Sequence, residues 1–447
     1  MTTLVDPCGL PVNGATSAAL ACYRRALADF QSWRSGAEAG IDLALREAPR
    51  FVMAHVLKAW LFACSRDPLR IRSTREAFAG ARGLPANERE RGHLDALDAI
   101  LADDLPGGLD RLGALLRAYP LDALALQAAH VFDYYLGNTG SLSNRPAAVL
   151  PSWSRETPGY HAVVAMHAFG LVENGEYDRG EAAARAALEL EPLDARAHHV
   201  MAHVFEMRRE PGEGIRWLRG HEAAWSRRTV VATHCWWHLA LFHLALGEGR
   251  AALETYDDRV RGQRSGAIAD LIDAAALLWR LELTGGIGGT RWHELAAAWV
   301  PHIDDAYCSF TDLHAMLAFV GARNFRSARR LERSLARAQS EPTRHAETTR
   351  VLGLPACRAL IAYGRGDDAL AIRLLAAVPA RAHRLGGSHA QRDVLHLTLQ
   401  RAVERMRRPR SASAVVQGLR ALLPHRGDTR HRSAPRPPWT TPTASPT

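Results

Sequence analysis

The segment Ala195–Glu206 (ARAHHVMAHVFE) carries imidazoles and a carboxylate at helical spacing. His199 and His203 are four residues apart, and Glu206 follows three residues later. On an α-helix such residues share one face, with neighbouring Cβ atoms about 5–6 Å apart. A second pair, His234 and His238, repeats the four-residue spacing further along the chain. Two imidazoles and a carboxylate can coordinate Zn or Fe through neutral ring nitrogens. The second pair could complete the shell, or act as general acid and base near pH 7. A metal with an open position would activate water. The pattern H-x3-H-x2-E differs from the H-E-x-x-H of zincin proteases, so no protease mechanism transfers.

The same side chains admit a reading without metal. A groove lined by Arg196, His199, His203, Glu206, His234 and His238 would hold a carboxylate or backbone groups of a peptide, protein tail or small ligand. A third reading leaves the imidazoles satisfied within helix packing, because a chain with 21 His produces some close pairs by chance. His130, with Asp133 and Tyr134 on the next turn, is a further ligand-binding candidate. Trp236 is expected in the core, whereas Trp237 either packs there or stacks on a ligand. Near the end of the chain, LGGSHAQRDV (385–394) contains a capping-box pattern in Ser388 and Gln391, after a Gly386-Gly387 turn. Arg392 and Asp393 then form buried ion pairs to other helices, or Arg392 serves the groove as an anion clamp. Asp270, Asp273 and Arg280 on one predicted helix raise the same choice.

Helices must position all of these groups. Ala, Leu, Arg and Glu dominate the composition, and all four favour helix. Residues 174–192 (NGEYDRGEAAARAALELEP) read as the second half of a tetratricopeptide motif: a turn at Gly175 and Tyr177, small residues along a helix, and a stop at Pro192. The turn recurs with Gly247 in LGEGRAALETY (246–256) and with Gly364 in YGRGDDAL (363–370). Pro49, Pro120 and Pro192 each follow a helical run, and Gly137 sits where a turn glycine belongs after Pro120. The expected fold is all-α, a tetratricopeptide-repeat solenoid of roughly eleven to twelve helical hairpins. In that arrangement the first helix of each hairpin lines a concave groove. The two histidine pairs then fall on first helices of adjacent repeats. The expected organisation is an N-terminal extension over 1–15, the repeat array over 16–408, and a basic Pro/Ser/Thr-rich tail over 409–447 that should be disordered.

Six segments carry a family resemblance: PRFVMAH (49–55), HVFDYYLG (130–137), AHHVMAHVFEM (197–207), HCWWHLAL (234–241), DLIDAAALLWRLEL (270–283) and LGGSHAQRDV (385–394). Taken in order, they make the chain resemble the tetratricopeptide repeat protein 38 family over roughly residues 16–405. The resemblance implies a helical repeat fold and no particular reaction.

Charge and cysteine content exclude some classes. The net charge is +9, but ten Arg against Glu404 and Asp428 place most of it in residues 401–447. The body therefore lacks the basic excess that drives nucleic-acid binding. Six Cys form no C-x-x-C pair, which argues against a disulfide framework or a Cys-rich zinc site. No run approaches the ~18 apolar residues of a membrane span. The start, MTTLVDPCGLPV, lacks a basic stretch followed by an apolar run, so a cytoplasmic location is expected. No phosphate-binding loop, dinucleotide fingerprint or G-x-S-x-G nucleophile motif is present.

Overall fold

Short polar residues start the helices. Thr16, Asp104, Asp122, Asp194, Asn324 and Asp367 each accept a hydrogen bond from a backbone N–H of the helix that follows. Asn87 and Glu90 form a complete capping box, which satisfies two otherwise orphaned donors. Stops fall where the prolines predict them: helices Ala37–Glu47, Leu105–Ala118 and Tyr177–Leu190 end just before Pro49, Pro120 and Pro192. Gly137, Gly175 and Gly247 have φ of 67°, 85° and 79°, the left-handed turn expected of them. The third turn differs from expectation. Gly366 takes the positive φ, 80°, while Gly364 stays helical and packs on Val320.

The computed structural model of the chain describes residues 4–341 and 343–407. It contains 23 α-helices among the described residues, and only two isolated β-bridges in place of strands. The protein is all-α. Ten consecutive pairs of helices pack on each other, from Ser17–Gln31 with Ala37–Glu47 to Leu354–Gly364 with Asp368–Leu375. The long helix His389–Arg407 follows. The described residues up to Val403 make one compact unit, and Glu404–Arg407 fall outside it. The predicted disordered tail lies outside the described residues.

The two helices of a pair are buried differently. Ala195–Arg208 buries every residue from Ala195 to Phe205. Its predecessor Tyr177–Leu190 buries only the stripe Gly180, Ala184 and Ala187. A helix buried all round lies inside the packing, and one with a single apolar stripe lies at its surface. This division brings the chemistry-bearing helices together. The N-terminal segment is docked rather than free: Asn13 donates through its N–H and its amide to the two Glu90 oxygens, each at 2.8 Å, and Asp6 pairs with Arg89 at 2.8 Å.

One glycine fixes a close helix approach. Gly170, within Tyr160–Glu173, faces the backbone carbonyl of Leu142, and a Cβ there would fall inside that group's van der Waals shell. Gly170→Ala is expected to cost roughly 3 kcal/mol, the upper part of the overpacking range. Chemical denaturation would read it as a lower midpoint. An unchanged midpoint would mean the two helices separate freely.

Candidate metal centre

Four imidazoles meet between the helices Ala195–Arg208 and Ala232–Ala245. His199, His203, His234 and His238 each offer one ring nitrogen, and these four atoms lie within 4.8 Å of one another. His199 Nε2 and His203 Nε2 are 3.0 Å apart. Four ligands at a Zn–N distance of about 2.05 Å in a tetrahedron would stand about 3.3 Å apart. Small side-chain adjustments therefore convert the cluster into a coordination shell. Among the described residues this is the one grouping of His, Cys and acidic side chains with metal-ligand spacing.

Carboxylates back the ring nitrogens that face away from the cluster. His234 Nδ1 donates to Asp273 at 2.9 Å, and His238 Nδ1 donates to Glu206 Oε2 at 3.2 Å. His203 Nδ1 lies 3.8 Å from Glu173 Oε1. Such carboxylate–imidazole pairs fix the tautomer and leave Nε2 as a lone-pair donor. His238 Nε2 is buried with no hydrogen-bond partner, as are His199 Nδ1 and His203 Nδ1. His199, His203 and His238 are 4%, 0% and 0% exposed, so they are enclosed and do not line an open groove. Their enclosure follows from the all-round burial of the first helix and from Trp33, whose ring lies 5.4 Å from that of His199. Only the rim keeps solvent, with 17% of the His234 side chain and 19% of the Glu206 side chain exposed.

The electrostatics follow from this enclosure. Burial holds His199, His203 and His238 well below the usual imidazole range, and the neighbouring imidazoles add to it. All three are neutral at pH 7, the form that ligates a metal. Burial pushes Glu206 up to about 7, against the pull of Arg280 and His234. Burial likewise raises Asp273, against its bond to His234. Glu173 goes the other way. Burial opposes its ionisation, but His389, His203 and Arg392 together outweigh that.

The segment Ser388–Asp393 organises these carboxylates from outside. His389 Nδ1 donates to Glu173 Oε2 at 3.1 Å, and Arg392 lies 3.8 Å from the same oxygen. Tyr134 donates to Gln391 at 2.6 Å, and Arg280 pairs with Asp393. Half of the predicted capping box is present: the Ser388 N–H donates to Gln391 Oε1 at 3.1 Å. Arg392 thus makes a buried ion pair to Glu173 on another helix, whereas Asp393 pairs with Arg280 from a partly exposed position. Arg392 also bonds the Gly387 carbonyl and does not join the imidazole cluster.

The other candidates take separate places. His130 is 5% exposed and its Nε2 donates to the Met166 carbonyl at 3.1 Å, away from the four. Burial, aided by Arg196, lowers it to about 3. Trp237 is fully buried and stacks on His234, with ring centroids 5.0 Å apart and planes 11° apart. Trp236 is 5% exposed and packs against Trp225. Arg196 is buried and bonds Gln127. Glu173, Asp273 and His389 are the participants that sequence spacing missed as such. In the sequence Asp273 stands out only with Asp270 and Arg280, as a choice between an ion pair and a functional role, and His389 only as part of LGGSHAQRDV.

Fold and site together define an all-helical protein with a buried four-imidazole group able to hold a metal ion. No family model matches this chain. Among the described residues, no helix is long and apolar enough to cross a membrane.

Proposed function

We propose that the chain is a tetratricopeptide-type helical-repeat protein that binds one transition-metal ion, Zn or Fe, through His199, His203, His234 and His238. The observation that carries this is the convergence of four imidazoles, two of them hydrogen-bonded to Asp273 and Glu206 and a third 3.8 Å from Glu173. Borderline nitrogen donors without thiolates suit Zn and Fe, and also Cu and Ni. Four protein ligands fill a tetrahedral zinc shell, so the ion ties the two helices together and leaves no position for water. A divalent charge would also answer Glu206, which burial otherwise pushes toward its neutral form. The repeat reading draws support from ten helix pairs in chain order and from the turn glycines.

A peptide, protein tail or small ligand held by these same side chains is the weaker reading, because only His234 and Glu206 reach solvent. An acid–base enzyme meets the same obstacle.

Elemental analysis of protein purified without a histidine tag is expected to find about one equivalent of Zn or Fe. After chelator stripping, added Zn should rebind at one per chain in a titration. Stripped protein that ignores Zn, Fe, Cu and Ni alike would refute the metal reading.

A further inference from the structure

Beside the imidazoles lies a buried cation without an ion pair. Arg196, one turn before His199, is 1% exposed. Its Nη2 donates to Gln127 Oε1 at 2.5 Å, while Nε and Nη1 are buried and have no acceptor. Asp194 does not pair with it: Oδ1 accepts from the Ala197 N–H at 3.1 Å and Oδ2 from His161 at 2.8 Å. Burial pulls the guanidinium down to about 10, against the more distant charge of Asp194. Gln127 must turn its oxygen to the guanidinium, so its Nε2 points elsewhere and also lacks an acceptor. His199 Nδ1 is the third orphan. With Nε2 on a metal, that Nδ1 carries the proton and becomes a donor. Each of the three groups thus has donor capacity left without an acceptor.

One ring covers two of them. The Arg196 guanidinium lies 4.7 Å from the Trp33 ring centroid, and the His199 ring lies 5.4 Å from it. Trp33 therefore fills the space that a ligand would share between Arg196 and His199. Its backbone has φ 57°, a left-handed conformation that is strained for a bulky residue. The loop is held there by the Val230 N–H on the Trp33 carbonyl at 2.9 Å and the Ser35 N–H on the Arg228 carbonyl at 2.8 Å. A ring face is a poorer partner for a guanidinium than a carboxylate is.

We propose that Arg196, Gln127 and His199 form a binding site for a small monocarboxylate, and that Trp33 is its lid. A single guanidinium without an ion pair calls for a single negative charge, and a planar carboxylate matches a planar guanidinium. The ligand takes the place of the Trp33 ring, which swings out as its loop leaves the left-handed conformation. The site rests on the metal reading only for its third donor.

The test uses acetate as the probe, on metal-stripped and Zn-loaded full-length protein, with chloride and inorganic phosphate at matched ionic strength. Acetate is expected to raise Tm saturably, by roughly 2–4 °C in excess ligand, with a larger effect when Zn is bound. Arg196→Met should weaken the acetate response at least tenfold without lowering Tm in its absence, because a buried cation without an ion pair gives way to an apolar side chain. Gln127→Glu supplies an internal carboxylate and should both raise Tm and abolish the acetate response. Trp33→Ala should strengthen acetate binding. A wild-type protein indifferent to acetate, an equal response to chloride or phosphate, or an Arg196→Met protein that still responds would each overturn the proposal. Zn binding at one per chain with no acetate response would remove the carboxylate site and leave the metal centre standing. The reverse result would remove the metal and keep the site.

Discussion

His203→Leu is expected to leave the metal-stripped protein at least as stable as the wild type, while weakening Zn binding more than about 100-fold, beyond the range for losing an outer partner. The reason is local. His203 is fully buried, its Nδ1 has no partner within hydrogen-bond distance, and its Nε2 meets only another imidazole. A buried polar group without good partners costs about 1–3 kcal/mol, which an apolar side chain of similar volume avoids. The metal reverses the balance. At free Zn one thousand times the wild-type Kd, binding stabilises the fold by about 4 kcal/mol; a Kd raised 100-fold reduces that to about 1.4 kcal/mol. Glu173→Gln and Glu206→Gln keep all four ligands and should weaken Zn only about 10–100-fold. Melting curves with and without chelator, alongside Zn titrations, separate these effects. A structural imidazole would behave oppositely: His203→Leu would fall in stability without metal, and Zn would change neither protein.

Asp122→Ala is the largest loss expected away from the centre. Asp122 is 1% exposed and meets three partners. Its Oδ1 accepts the Ala125 N–H at 2.9 Å and so starts the helix Ala123–Leu136. Its Oδ2 accepts from His93 Nε2 at 2.9 Å and lies 3.1 Å from Arg89 Nε, an ion-pair distance without hydrogen-bond alignment. His93 Nδ1 accepts from the Trp60 indole at 3.1 Å, which places the imidazole proton on the nitrogen facing Asp122. Removing the carboxylate breaks a buried pair and a helix cap together, a loss of roughly 4–6 kcal/mol. Burial alone would raise this carboxyl, but His93, Arg89 and the Ala125 N–H outweigh it and hold it below the usual range. A depressed folded value means stability that is present above the unfolded value of about 3.9 and is lost as pH falls toward the folded value. Asp122→Asn should therefore flatten the decline of stability below about pH 4 relative to wild type. Denaturation midpoints between pH 5 and 2 would show it. Parallel wild-type and variant profiles would place the acid sensitivity elsewhere.

Parts of the centre are legible in the primary structure. Imidazoles four residues apart on a helix must share a face, so each of the pairs 199/203 and 234/238 follows from periodicity alone. Their juxtaposition follows only from the expectation that both sit on first helices of neighbouring pairs. His130 shows the limit of the same reasoning. It too lies on a first helix, yet its ring turns to the Met166 carbonyl, because the neighbouring helix offers an acceptor there. Glu206 shares the face of its imidazoles as predicted, but its carboxylate backs His238. The turn at 363–370 was placed at Gly364, whereas the backbone reverses at Gly366, since both glycines satisfy the same pattern.

The sequence determined what is local and periodic: helices, caps, stops, and which residues share a face. Those depend on backbone sterics and on hydrogen bonds a few residues apart. Tertiary packing alone decided which carboxylate backs which imidazole, that His389 and Arg392 steady Glu173 from the far end of the unit, and that Trp33 closes over Arg196 and His199. These pairings span up to 216 positions, as from Glu173 to His389. No local periodicity encodes such a distance; it is set when the buried faces of many helices find their lowest-energy arrangement together.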